Sequence, residues 1–440
     1  MIELYEPQSQ AVSHMETALQ EFNVTLNTSN TGTGKTLMAL TAAQRLGLKP
    51  LIVAPLAAHA TWRQWSQTLS VSVLDIINLE RLRTGKTKYV SLNGSAKRGQ
   101  FKWNLDRTKH LVIIDEAHRG LTGHTSQAGR MCAMLRPQGI KTLLLTATPP
   151  ATPLGLRSIG SLCRLHSYST SDFFNWCRRH GATNSPWHRG LIFDVGTPKA
   201  QRAMEQINQA LRPILTKVSV EDIASHFQNN LVEPWLISLS DDETGRVQAI
   251  YDEMADEIKK STHSNPLTVQ LRARQCSELL KLPAIHDAVL DSVEEGYNVC
   301  VALGFKESVE QLSVSLGKAG AAVVRITGDL GQAERDSAVT LFNSGLSRVL
   351  VGTIDAAGIS ISLHHTEPDQ FPRTSIISPT YSADKFNQTL GRINRSDGLS
   401  PTVQRIALAA GTIEEKIARR IEAKLSALKT LTDTDMGKLE

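Results

Sequence analysis

The sequence predicts an α/β protein built as two parallel-sheet lobes in tandem, with helical insertions between them. Two observations carry this. Short apolar runs rich in β-branched residues alternate with helical stretches, and they do so in two separate blocks. The runs are apolar throughout rather than alternately apolar and polar, the pattern of strands covered on both faces by helices. A chain of 440 residues has room for two such lobes and an extra segment.

In the first block the expected strands are NVTLNT (23–28), LIVAP (51–55), VLDII (73–77), LVIID (111–115) and TLLLT (142–146). In the second they are NVCVAL (298–303), AVVRI (322–326), RVLVG (348–352), TSIIS (374–378) and QRIAL (404–408). Between the blocks, ALRPILTK (210–217) and YDEMADEIKK (251–260) read as helical, and LVEPWLISL (231–239) as one of few strands. The last stretch, TIEEKIARRIEAKLSALKTL (412–431), has the apolar spacing and interleaved charge of an amphipathic helix. The expected division is a first lobe at 1–152, a helical bridge at 153–280 and a second lobe at 281–440.

Composition narrows the class. A hydrophobic fraction of 41% and a charged fraction of 21% suit a globular protein and do not suggest a disordered or fibrous one. The net charge of +5 permits a polyanion partner without pointing to one. Five cysteines without CxxC spacing argue against a metal cluster or a disulfide framework and for a reducing compartment. The acidic start MIELYEPQ has no signal core. The most apolar stretch, LIVAPLAAHA (51–60), is broken by Pro55 and too short to span a bilayer. A cytoplasmic protein without membrane contact is expected, in a prokaryotic or phage-infected cell, with a monomer favoured.

Three strings carry the chemistry. SNTGTGKT (29–36) follows a candidate strand and precedes a helical run, the context a phosphate loop requires. Gly32 and Gly34 let the backbone amides face phosphates. Lys35 would reach the β- and γ-phosphates, Thr36 would ligate magnesium, and the helix start adds positive potential. Ser29 stands where the usual pattern has its first glycine. In VIIDEAH (112–118) a buried strand ends at Asp115, whose carboxylate would hold magnesium, while Glu116 would orient the attacking water. In QTLGRINR (388–395), Gln388, Arg392 and Arg395 fall at i, i+4 and i+7 and share one face if the segment is helical. Arginines there could neutralise charge on a transferring phosphoryl group. The cofactors expected are therefore ATP and Mg2+.

These residues resemble superfamily 2 helicases and translocases, over nearly the whole chain. LYEPQSQ (4–10) looks like the adenine-recognition segment, with Gln8 reading the base. LIVAPLAAHATWRQW (51–65) and INLERL (77–82) are similar to the Swi/Snf-like branch, and TATP (146–149) to motif III. GYNVCVALGFKESVEQL (296–312), ITGD (326–329), GTIDAAGISISL (352–363) and GTIEEKI (411–417), with Lys424 beyond, resemble the second-lobe motifs of that branch. Ser360 departs from its usual glycine. The resemblance implies two RecA-like lobes and nucleotide contacts from Gln8, Thr31, Gly32, Thr33, Gly34, Lys35 and Thr36. It also implies nucleic-acid contacts from Pro55, Thr327, Gly328 and Thr353, and coupling through His118, Thr146 and Thr148.

The activity so implied is ATP-dependent translocation or unwinding on duplex, forked or junction DNA, similar to compact phage helicases that remodel branched DNA. Two alternatives stay open: an RNA helicase, and a nucleic-acid binding module that uses ATP without turnover. Arg178, Arg179, His180, His188 and Arg189, interleaved with Trp176 and Trp187, could contact phosphates and bases or could flank an insertion core. His364 and His365 lack metal-ligand companions and are read as structural.

Overall fold

The computed structural model describes residues 3–414, apart from 96–98, 119–120, 122–125, 148, 151, 186–189, 196, 227–229, 261–265, 358–361, 369, 380–382, 396–397 and 413. Thr148, Trp187, His188, Arg189, Ser360, Lys424 and the helix expected at 412–431 thus lie wholly or mostly outside the described residues. The chain forms two compact units that divide between Ile223 and Ala224.

The first unit contains β1 (Val24–Asn27), β2 (Lys49–Val53), β3 (Asp75–Ile77), β4 (Val90–Asn93), β5 (Gln100–Trp103), β6 (His110–Ile114), β7 (Lys141–Leu145), β8 (Thr183–Asn184), β9 (Leu191–Ile192) and β10 (Leu215–Thr216). Six of these make one parallel sheet in the order β10-β1-β7-β6-β2-β3. The other four form two antiparallel hairpins. All five apolar runs expected in the first block fall on strands of the sheet. Its core joins Leu26, Leu51, Val53, Val112, Ile114 and Leu144 to helix residues such as Ala18 and Met131.

One helical expectation is corrected. ALRPILTK is not a helix: the helix Pro198–Leu211 ends at its start, and Leu215 and Thr216 pair with Leu26 and Asn27 as β10. Pro213 supplies the reason, since it has no N–H to continue the ladder and its ring opposes the preceding turn.

The second unit contains β11 (Asn230–Ile237), β12 (Asn298–Leu303), β13 (Val323–Ile326), β14 (Val349–Thr353), β15 (Arg373–Ile377) and β16 (Thr402–Ala409). They form a single parallel sheet, ordered β11-β16-β15-β12-β14-β13. All six residues of β12 are buried between two neighbours, which accounts for the unbroken apolar run NVCVAL. Pro234 sits in β11, an edge strand, where a missing N–H is tolerated. The stretch 153–280 is shared between the units: its part up to Ile223 builds the first, the rest the second.

A buried ion pair closes this sheet. Lys281 Nζ lies 2.7 Å from Glu414 Oε2 and 2.8 Å from the Ala407 carbonyl, while Glu414 also accepts from the Ala409 N–H at 2.8 Å. Both side chains are almost fully excluded from solvent. Buried charges persist when paired and hydrogen-bonded in this way.

Candidate functional site

Within each unit every sheet strand runs in one direction, so the loops leaving the carboxyl ends gather along one edge, where open α/β sheets bind ligands. In the first unit that edge collects SNTGTGKT after β1, Pro55 after β2, Asp115 after β6 and Thr146 after β7.

The loop after β1 has the backbone that phosphates need. Gly32 and Gly34 stand at φ 85° and 87°, a left-handed region that side chains disfavour. A Cβ on Gly34 would come within 2.7 Å of Gln8 Nε2. The helix Lys35–Arg45 begins immediately after, presenting its free amides to the loop. Lys35 Nζ spans the loop, donating to the carbonyls of Ser29 and Asn30 at 2.8 Å each. Thr33 is buried and its hydroxyl donates to Asn30 O at 2.8 Å; Thr31, Gly32 and Thr36 stay partly exposed.

Ser29 turns out to be a tether. Its Oγ accepts from the Val218 N–H at 2.8 Å, just past β10, and its own N–H donates to Asn27 Oδ1. Gln8, from the helix Glu6–Glu21, is buried against the same loop. Its Nε2 donates to Thr33 O at 2.9 Å and its Oε1 accepts from Tyr5 N–H at 3.0 Å. Through these bonds it braces the loop backbone.

Asp115 caps β6. Its Oδ1 accepts from the Glu116 N–H and its Oδ2 from the indole Nε1–H of Trp62, both at 2.9 Å. Burial, and the Glu116 carboxylate beside it, push Asp115 up to about 6 against the opposing pull of Trp62 and Lys35. Glu116 has φ 51°, a strained setting for a residue with a side chain. Its Oε2 lies 3.4 Å from His118 Nδ1, and that same nitrogen lies 2.9 Å from Thr146 Oγ1. Glu116, His118 and Thr146 therefore form one chain of contacts from β6 to β7.

These groups fit a magnesium nucleoside triphosphate. A glycine loop at a helix N-terminus with a lysine across it suits the phosphates, and a hydroxyl with a carboxylate suits the ion.

In the second unit the corresponding edge carries Thr327 and Gly328 after β13, Thr353 at the end of β14, and the helix Ala383–Leu390 after β15. The helical face expected for QTLGRINR is corrected here. The helix ends at Leu390, before Gly391, so Arg392 and Arg395 lie beyond it and the i, i+4, i+7 relation does not apply. A tight turn follows, with Arg392 N–H donating to Thr389 O at 3.1 Å and Arg392 O accepting from Leu363 N–H. Gln388 and Arg392 are buried, Arg395 partly so.

Three side chains here were not anticipated. Arg335 Nη2 donates to the Thr327 and Gly328 carbonyls at 3.1 and 3.0 Å, fixing that turn. Lys306 pairs with Asp329 at 2.8 Å and holds its carboxyl down to about 2. Glu278 accepts from the Gly304 and Phe305 N–H groups at 2.7 and 3.1 Å. Trp62 was likewise missed as a site residue, although it stands inside the string 51–65. Trp176, in contrast, belongs to the first unit's core and packs against His180 in a tilted arrangement, with ring centroids 4.6 Å apart. No helix among the described residues is long and apolar enough to cross a membrane.

Two family models match in tandem: DEAD/DEAH box helicase over residues 5–155, and Helicase conserved C-terminal domain over residues 280–397. A protein of Acanthamoeba polyphaga mimivirus named "Putative ATP-dependent RNA helicase" is 28% identical over 463 residues, covering 98% of this chain and 84% of its own. Protein CHROMATIN REMODELING 24 of Arabidopsis thaliana is 22% identical over 221 residues, which is 50% of this chain but 18% of that protein. The Sulfolobus solfataricus SWI2/SNF2 ATPase core, solved in complex with dsDNA, aligns with 99% of this chain and 100% of its own at 14% identity and a TM-score of 0.38. With both helicase domains matched in order, and together spanning more than half of its length, the chain belongs to the DEAD/DEAH-box helicases of superfamily 2, enzymes that hydrolyse ATP.

Proposed function

We propose that this helicase is an ATP-driven motor on DNA, acting on duplex, forked or branched substrates in remodelling, repair or recombination. The observation that carries the motor reading is the edge of the first sheet, where Lys35 at the end of the glycine loop acts on Asp115, and Glu116 beside it, at the end of β6. Lys35 leaves its two carbonyl partners for phosphate oxygens. Asp115 and Thr36 would hold magnesium, which when bound neutralises charge on the β- and γ-phosphates. Glu116 orients water for attack, and His118 with Thr146 relays the state of that carboxylate to the neighbouring strand. From the second unit, Arg392 and Arg395 are assigned the neutralising charge during phosphoryl transfer.

DNA is preferred because the Swi/Snf-like strings at 51–65, 77–82 and 411–417 occur in both halves of the chain. The partial likeness to a chromatin remodelling protein supports the same choice. RNA is the second reading, favoured by the name of the mimivirus relative. ATPase rates on single-stranded DNA, duplex, fork, four-way junction and RNA separate the two. Stimulation by duplex or branched DNA at least about tenfold above RNA is expected, at low salt where phosphate contacts are strongest. Stimulation by RNA alone would transfer the assignment to the second reading. Saturable ATP binding without turnover on any polynucleotide would remove both.

A further inference from the structure

Asp115 is gripped twice by one short stretch of chain. Its N–H donates to the Val53 carbonyl at 2.8 Å, and its Oδ2 accepts from Trp62 at 2.9 Å. Val53 ends β2, and Trp62 lies in the helix His59–Thr68 that begins just past Pro55. Between them His59 Nε2 contacts the Ala54 carbonyl at 3.1 Å, while the Ala54 N–H donates to Ile77 O at 3.0 Å. Residues 53–62 therefore form a closed bracket whose two ends rest on one residue, the Val53 end on the Asp115 backbone N–H and the Trp62 end on its carboxylate.

The indole end of that bracket has little freedom. Trp62 is 1% exposed, so its N–H has no access to solvent if the carboxylate moves away. With Oδ1 held by Glu116 and Oδ2 by Trp62, rotation of the carboxylate is restrained at both oxygens. A displacement of the helix start must then either carry the Asp115 side chain with it or break a buried hydrogen bond.

We propose that Trp62 is a positioning residue that joins the Pro55 segment to Asp115, so that nucleic acid seated on that segment resets the magnesium-holding carboxylate through the indole. This rests on the motor reading above. It assigns to the first unit its own route from polynucleotide to hydrolysis, distinct from the His118–Thr146 contact. Outer partners of metal ligands commonly change ion affinity by about 10–100-fold when removed.

Trp62→Phe keeps an aromatic ring in the core and removes the donor together with part of the indole. The half-saturating magnesium concentration, read both in ATPase assays and by fluorescent nucleotide binding without turnover, is expected to rise about tenfold. The ratio of DNA-stimulated to unstimulated rate falls by a similar factor, while DNA affinity without nucleotide stays within about twofold. Unaltered magnesium dependence and unaltered stimulation in a folded Trp62→Phe protein overturn the proposal.

Should that variant fail to fold, the parent chain labelled with 15N at its 6 tryptophan indoles decides the matter. Asp115→Asn must then move one indole N–H resonance, and magnesium nucleotide and DNA must each move that same resonance in the parent. No shared resonance overturns it. A parent protein without polynucleotide-stimulated ATPase would instead remove the motor reading itself.

Discussion

The loop after β1 and the loop after β12 each lie between a buried parallel strand and a helix, yet their amides face opposite fates. After β1, two left-handed glycines and Lys35 leave a cradle for outside phosphate. After β12, the carboxylate of Glu278 already fills the amides of Gly304 and Phe305. A Cβ on Gly304 would stand 3.0 Å from Glu278 Oε2, so the carboxylate sits directly on that backbone. One loop has the geometry to take an anion from solution; the other receives one from its own chain. The same succession of strand, loop and helix thus frames a phosphate-shaped cradle in one unit and a loop closed by its own carboxylate in the other.

The largest effects should fall on hydrolysis and divide by unit. Glu116→Gln should lose about 10²–10⁴-fold in ATP turnover, and Arg392→Ala about 10³-fold or more. Both should retain nucleotide binding in an equilibrium fluorescence assay. An Arg392→Ala protein that loses binding and fold together would leave the second unit without an assigned part in hydrolysis. Next in size, Glu278→Ala should remove two charge-assisted hydrogen bonds to the Gly304 and Phe305 amides and lower the second unit's stability by about 1.5–3 kcal/mol. Chemical denaturation would show it, with nucleotide affinity unchanged. A gain of triphosphate binding at a second site would sharpen the comparison, since it would expose a latent cradle.

The smallest effect concerns pH. The folded value for Asp115 lies near 6, above its ordinary value of 3.8. A carboxyl raised by folding stabilises the native state fully below its unfolded value, and loses that contribution as pH rises through the folded one. Without magnesium or nucleotide, melting temperature should therefore fall by roughly a few degrees between pH 4.5 and 7 through this group. Asp115→Asn should flatten that slope, and an unchanged profile would remove the burial effect on Asp115.

Most of the sheet was legible because central parallel strands must be apolar on both faces, as in NVCVAL and LVIID. The glycine loop was legible because its chemistry is local. What escaped depends on distant partners. β10 is two residues long and shows no period; only its pairing with Leu26 and Asn27 makes it a strand. Glu278 lies 26 residues from Gly304, and Trp62 lies 53 from Asp115, separations that no spacing rule connects. QTLGRINR misled because a face was drawn through Gly391, where the helix had already stopped.

The hold of Val218 on Ser29 has a temporal consequence. The two residues are separated by 189 positions, and Asn30 N–H reaches the Val218 carbonyl as well. During synthesis, the phosphate loop leaves the ribosome long before the strand that steadies it. Nascent chains halted before Leu215 should capture nucleotide poorly, and competence should arrive late, when translation of the first unit is nearly complete.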